Sequence, residues 1–240
     1  MGGDLVRKDG LETRKKILSV CVRLFLEQGY KHTSVTQIVE EAGIARGSYQ
    51  NQFPTKDSIL MELVKTMFGK QFGMAWAITG EHLSPVYTYA VETAIQLTLT
   101  ELNENLREIY IEAYSLPNTA EYIHLKTAEK LKEFFNPYLP DHSDNDFYEL
   151  DIGTAGLMRN YISKKCDIRF PLSRKLERYI TSSLRVFRVP ENEIQGAVAF
   201  VNRLDTKSIA ADVIHKLFTM LEMKYHFKLS SDVEVSSEAD

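Results

Sequence analysis

The 240 residues are 44% hydrophobic and 26% charged, the balance of an ordinary globular protein with a substantial core. No run of about 18 apolar residues occurs, so no membrane span is expected. The opening MGGDLVRKDG lacks an apolar signal segment and, with Val6 at the sixth position, the myristoylation pattern.

The net charge of −4 is unevenly spread. Residues 1–56 hold nine Lys/Arg and six Asp/Glu, net +3, and the rest of the chain is net −7. A basic end on an acidic body suits contact with a polyanion at one end only. Cysteine is sparse, with Cys21 on an apolar helix face and Cys166 near a helix end, which fits a reducing cytoplasm.

The first predicted helix runs from about Thr13 to Glu27, with Ile17, Leu18, Cys21, Leu24 and Phe25 on one face. Gly29 stops it. Thr33 or Ser34 caps a short second helix, Gln37 standing where a capping box needs it, with Val35, Ile38, Val39 and Ala42 as its apolar stripe. Gly43 and Ile44 make a turn, and a third helix begins near Ala45 and ends at Phe53-Pro54, because the residue before proline is pushed out of the helical region. Thr55 caps a fourth helix with Asp57 in its first turn. Three short helices with a tight turn between the second and third read as a helix-turn-helix, a unit that places a helix end in the DNA major groove.

This stretch resembles the DNA-binding domain of the TetR family of bacterial transcriptional regulators. The resemblance rests on Thr13-Arg14, Ile17-Leu18, Leu24-Phe25, Gly29-Tyr30, Thr33-Ser34-Val35, Ile38, Ala42-Gly43-Ile44, Gly47-Ser48, Phe53, Lys56 and Leu60, about the first quarter of the chain. It implies a homodimer on a palindromic operator in double-stranded DNA, released as a repressor by a small-molecule effector. The DNA-facing residues it implies are Thr33, Ser34, Ala45, Arg46, Gly47, Ser48, Tyr49, Gln50, Asn51 and Lys56. The third helix departs from the family pattern, in which an apolar residue and then a phosphate-contacting tyrosine occupy the places of Tyr49 and Gln50. Tyr49 either fills a core slot or faces DNA. Gln50 either reads an adenine edge, contacts phosphate, or faces water.

The body reads as helix after helix. A long fourth helix carries Ile59, Leu60, Leu63, Val64, Met67, Phe68, Phe72 and Ala75. Further helices are expected over about 85–103, apolar nearly all round, then to Leu116-Pro117, over 119–136, 146–165, 173–189, from Pro190 to about 203, and 205–227 with Asp205 as cap. The fold class is all-α. The expected division is a DNA-binding domain at 1–56, a ligand-binding and dimerisation domain at 57–228, and a disordered acidic tail at 229–240.

Aromatic residues in the body suggest an apolar pocket for an apolar or aromatic effector, lined from Phe72, Trp76, Tyr110, Tyr114 and Tyr161. Family resemblance puts the dimer contact on two late helices. The candidates are Leu176, Tyr179, Ile180, Ser183 and Phe187 on the first, and Ile209, Val213, Leu217, Met220 and Leu221 on the second. No Walker loop, GxGxxG, GxSxG or HExxH is present, so no cofactor, metal or catalytic constellation is expected. Glu40-Glu41 and Glu101 with Glu104 read as solvated helix faces. An adaptor of the same fold, controlled by a partner protein, is the alternative.

Overall fold

The computed structural model describes the backbone of residues 2–79 and 84–230 and the side chains of residues 10–67 and 84–230. Among the described residues there are eleven helices and no strand: α1 Gly2–Gln28, α2 Val35–Ala42, α3 Arg46–Gln52, α4 Lys56–Thr79, α5 Pro85–Leu102, α6 Glu104–Ser115, α7 Pro117–Phe135, α8 Asp144–Ser163, α9 Leu172–Val186, α10 Glu191–Val201 and α11 Thr206–Tyr225. The chain is all-α, as the 3.6-residue periodicity predicts.

The caps set most boundaries. Ser34 accepts from the Gln37 N–H, Asn103 from Leu106 and Asp205 from Ser208, each satisfying an otherwise orphaned helix donor. Pro85 and Pro117 sit in first turns, where a missing N–H costs nothing. Two starts differ from expectation. α1 begins at Gly2, eleven residues before Thr13. α8 begins at Asp144, inside the stretch expected to be a loop, because Ser143 and Asp146 form a reciprocal capping box.

α5 is the axle of the body. It packs against α4, α6, α7, α8, α9, α10 and α11, which is why it is apolar nearly all round. Three of its buried threonines are satisfied internally: the hydroxyls of Thr93, Thr98 and Thr100 donate to carbonyls three or four residues earlier. An aromatic cluster locks α5 to α7 and to the end of α9. The rings of Phe135 and Phe187 stack at 4.2 Å, and Tyr89 meets both edge-on at 5.2 and 5.7 Å.

A buried ion network closes the other end of α5. The Lys175 side chain has no exposed surface, and its ammonium donates to Glu101 and to the Lys164 carbonyl. Arg107 bonds the second oxygen of Glu101 at 3.0 Å. Glu101 is therefore a buried structural anion and not a solvated one, while Glu104 is exposed as expected. Burial alone would raise the Glu101 pKa, but Lys175, the Cys166 N–H and Arg107 together hold it below the usual carboxylate range. Cys166 lies against this network, and burial raises its thiol pKa.

The late helices carry a second correction. Leu176, Tyr179, Ile180, Ser183 and Phe187 of the α9 stretch, and Val213, Leu217 and Leu221 of α11, are buried inside a single protomer. These eight side chains are used in the protomer's own core and do not face outward. Only Ile209 and Met220 are partly accessible. A hydrophobic helical stripe says that a face is buried, and here its partner is the rest of the same chain. The acidic residues 231–240 lie outside the described residues; just before them, the Leu229 N–H donates to Glu222 and the Ser230 N–H to Glu27, both at 2.8 Å.

Candidate nucleic-acid interface and interior cavity

Gly43 creates the turn between α2 and α3. Its φ of 61° is left-handed, which glycine adopts without a Cβ penalty, and its N–H closes α2 on the Glu40 and Val39 carbonyls. The Ile44 N–H also returns to Val39, at 3.2 Å. α3 leaves this turn from Ala45, extended at φ −75° and ψ 146°.

The two sides of α3 are sharply different. Tyr49 is 1% exposed, so it fills the core slot and does not face DNA. Its hydroxyl has no partner among the described residues, and burial pushes its pKa up to about 12. Phe53, at the end of α3, is buried under the Arg14 guanidinium, 4.3 Å from the ring centroid. The opposite side shows Arg46, Gly47, Gln50 and Asn51, all exposed, with Ser48 half-buried. Positions 46 and 50 are one turn apart, as are 47 and 51, so the four form one solvent-facing patch. A Cβ at Gly47 would meet nothing within 4 Å, so this glycine leaves the patch open.

The residues before α2 divide in the same way. Ser34 is exposed. Thr33 is 1% exposed, and its hydroxyl donates to the Gly29 carbonyl at 2.8 Å. Lys56 is half-buried; its ammonium donates to the carbonyls of Tyr30 at 2.7 Å and Thr33 at 2.9 Å and lies 4.0 Å from the Tyr30 ring centroid. Lys56 therefore ties the α1–α2 turn to the start of α4. Burial lowers its pKa from the ordinary lysine value. Gln37 reaches Gln28 and Glu41, so the expected capping box is only half formed.

The head meets the body along α6, at a place that the sequence does not mark. Gly29 has φ 89°, and a Cβ there would run into the Glu108 carboxylate of α6. Asn105 of α6 donates to the Leu26 carbonyl at 2.8 Å, and Glu112 pairs with Lys31 at 3.3 Å. The inward side of the same helix carries Tyr110 and Tyr114 into the body, both buried or half-buried against the core.

Beside Tyr114 lies an interior cavity of about 40 Å³, between α5, α6, α7, α8 and α9. Of the expected pocket residues, Tyr114 lines it. Tyr161 meets Tyr179, a lining residue, edge-on at 5.7 Å, and the Tyr110 pKa is raised first by burial and then by the nearby Glu92. Phe72 and Trp76 are on α4 where side chains lie outside the described residues. The lining is more polar than an apolar pocket: Glu92, Thr93, Gln96, Asp151 and Thr154 face it together with Tyr89, Met158 and Tyr179. Glu92 and Gln96 sit on the otherwise apolar α5, and polar residues in a buried helix were the signal that could have found the site.

Burial raises the Glu92 pKa well above the carboxylate value, with weaker opposition from Lys130. A folded-state pKa above the unfolded one means that folding is least penalised in acid, and that the penalty grows as pH rises through the unfolded value towards the folded one. Glu92→Gln is therefore expected to raise the melting temperature more at pH 8 than at pH 4. An equal shift at both, measured by circular dichroism melts, would contradict this.

Comparison with known proteins agrees with this geometry. Residues 17–63 match the family described as bacterial regulatory proteins, tetR family. The uncharacterized HTH-type transcriptional regulator YuxN of Bacillus subtilis is 31% identical over 116 residues, 46% of this chain and 38% of that protein. The HTH-type transcriptional repressor KstR2 of Rhodococcus jostii is 33% identical over 60 residues, 25% of this chain and 29% of that one. The chain thus matches well under two thirds of the length of these relatives. The solved structure of RolR in complex with resorcinol shares the fold over 80% of this chain and 95% of that one, with a TM-score of 0.57 at 15% identity. Residues 17–63 thus form a helix-turn-helix domain of the kind found in the tetR family of bacterial regulatory proteins.

Proposed function

We propose that this protein is a homodimeric transcriptional repressor that binds a palindromic operator through the exposed face of α3 and is released by a small molecule held in its body. The observation that carries this is the patch of Arg46, Gly47, Gln50 and Asn51 on the outward face of the second helix of a helix-turn-helix. The net charge of +3 over residues 1–56, against −7 for the remainder, supports the same orientation. In this reading residues 1–56 form the DNA-binding unit and 57–228 the sensing and dimerising unit. One head reads about one half-site, so two heads about 34–36 Å apart, or a multiple of that, read a palindrome. The dimer contact uses side chains other than the eight buried within each protomer. The resorcinol held by RolR, a protein of the same fold, supports a small-molecule effector here.

Arg46 and Gln50 are the base-reading residues in this proposal, with Ser34 and Asn51 at the phosphates. Binding of the full chain to duplexes from its own promoter, with each operator base varied in turn, tests it. Gln50→Ala is expected to relax preference at one operator position by about 1–3 kcal/mol. An unchanged preference profile would remove Gln50 from base reading. Lys56→Ala is expected to weaken binding to all duplexes alike and also to lower stability by about 1.5–3 kcal/mol, because two backbone carbonyls lose a charged donor. Wild-type stability in that variant would show that its bonds to the turn are idle.

A further inference from the structure

The interior cavity holds a buried carboxyl oxygen without a hydrogen-bond partner among the described residues. It is the Oε2 of Glu92, which is 6% exposed and lines the cavity. Asp151, the other carboxylate in the lining, already has a partner, the Nδ1 of His124 at 2.7 Å. Among the described residues no Lys, Arg or His lines the cavity. The remaining polar lining is rich in acceptors: the Tyr114 hydroxyl already accepts from Gln96 at 2.9 Å, and the Thr93 hydroxyl spends its proton on the Tyr89 carbonyl, leaving its lone pairs free. Tyr89 and Tyr179 complete the lining on this side.

We propose that this cavity takes the ammonium group of a small amine, with Glu92 as its counter-ion. The inference rests on the reading of the body as an effector-binding unit, and it names the effector's chemistry. An anion would enter a site with two carboxylates and no cationic donor. A neutral ligand would hydrogen-bond Glu92 but could not stabilise its ionised form. An ammonium supplies a counter-charge and up to three donors to a lining of acceptors. A buried charge is tolerated when it is paired and hydrogen-bonded. The cavity of about 40 Å³ admits only a few heavy atoms without opening, so the group at its end is compact.

The groups facing Glu92 fix how binding couples to protons. They are Tyr89 on its own helix, Tyr110 and Tyr114 from α6, Lys130 and His124 from α7, Asp151 from α8 and Tyr179 from α9. Burial favours the protonated form of Glu92, and an arriving ammonium favours the ionised form. An alkylamine is already charged at neutral pH. Binding is therefore coupled to proton release, and affinity rises with pH for as long as Glu92 in the free protein still holds its proton.

Propylamine, propanol and propionate test the charge at nearly constant shape. Calorimetry on the full-length protein, in two buffers of different ionisation enthalpy, is expected to show propylamine binding at least ten times more tightly than propanol, propionate not binding, and proton release with the amine. Glu92→Gln is expected to bring amine and alcohol within about twofold. Propanol binding as well as propylamine, any binding of propionate, no binding by all three, or amine preference surviving in Glu92→Gln would overturn the proposal. If Glu92→Gln does not fold, proton release by the wild type still decides: release supports the counter-ion role, and its absence refutes it. Operator affinity is read in parallel. Selective amine binding that never moves operator affinity would leave the ammonium site standing and overturn the effector reading; operator affinity that responds to other compounds while amines fail to bind would do the reverse.

Discussion

Lys175→Met is expected to destabilise the protein by about 3–5 kcal/mol at neutral pH, although methionine fills a similar volume. The lysine side chain has no exposed surface, and its ammonium serves Glu101 and the Lys164 carbonyl. Removing it leaves a carboxylate that is 6% exposed with only Arg107 opposite, and strips a buried carbonyl of its donor. Glu101 has a folded-state pKa depressed below its unfolded value, so its stabilisation is present above the unfolded pKa and is lost as pH falls through the folded one. The difference between wild type and variant should therefore shrink in acid. Urea titrations at pH 7 and pH 3.5 measure it; a loss under about 1 kcal/mol at pH 7, or a loss that does not shrink in acid, would show that the network is not stabilising.

Leu217→Asp is expected to unfold the protomer itself. Leu217 is 8% exposed in a single chain and belongs to the continuous core. A carboxylate there has no cation supplied for it, and the cost is on the order of 4 kcal/mol or more. Far-ultraviolet circular dichroism and size exclusion distinguish the outcomes. Loss of helix signal is the expected result. A folded monomer that had merely lost its partner would mean that Leu217 faces a second copy after all. The same logic applies to Phe187, which stacks on Phe135 within the chain.

The head was legible because its signals are local. Ser34, Gly43 and Phe53-Pro54 each act on the backbone beside them, so caps and breaks could be read from neighbours in sequence. The inward turn of Thr33 and Lys56 was not legible, since both depend on the fold of the turn after Gly29. Residues 2–12 mix charges without an apolar stripe, so nothing in their pattern announced the first turns of α1. In the body, periodicity told that α9 and α11 each bury a face but not against what. The aromatic residues drew attention to a pocket, yet its distinguishing groups are Glu92 and Gln96 on α5 and Asp151 on α8, and polar residues within the largely apolar α5 were the signal passed over.

Salt-dependent operator binding is the most direct measure of the proposed function. Fluorescence anisotropy with a labelled duplex from the chain's own promoter region should give specific binding that weakens as salt rises, because Lys and Arg displace counterions from phosphate. Arg46→Ala combined with Gln50→Ala alters only exposed side chains of α3, so helix content should be unchanged while the preference for operator over scrambled duplex falls by at least a hundredfold, about 1–3 kcal/mol being lost at each contact. A wild-type protein that shows no preference for any promoter duplex at low salt, or a double variant that keeps the full preference, would contradict DNA reading by this face.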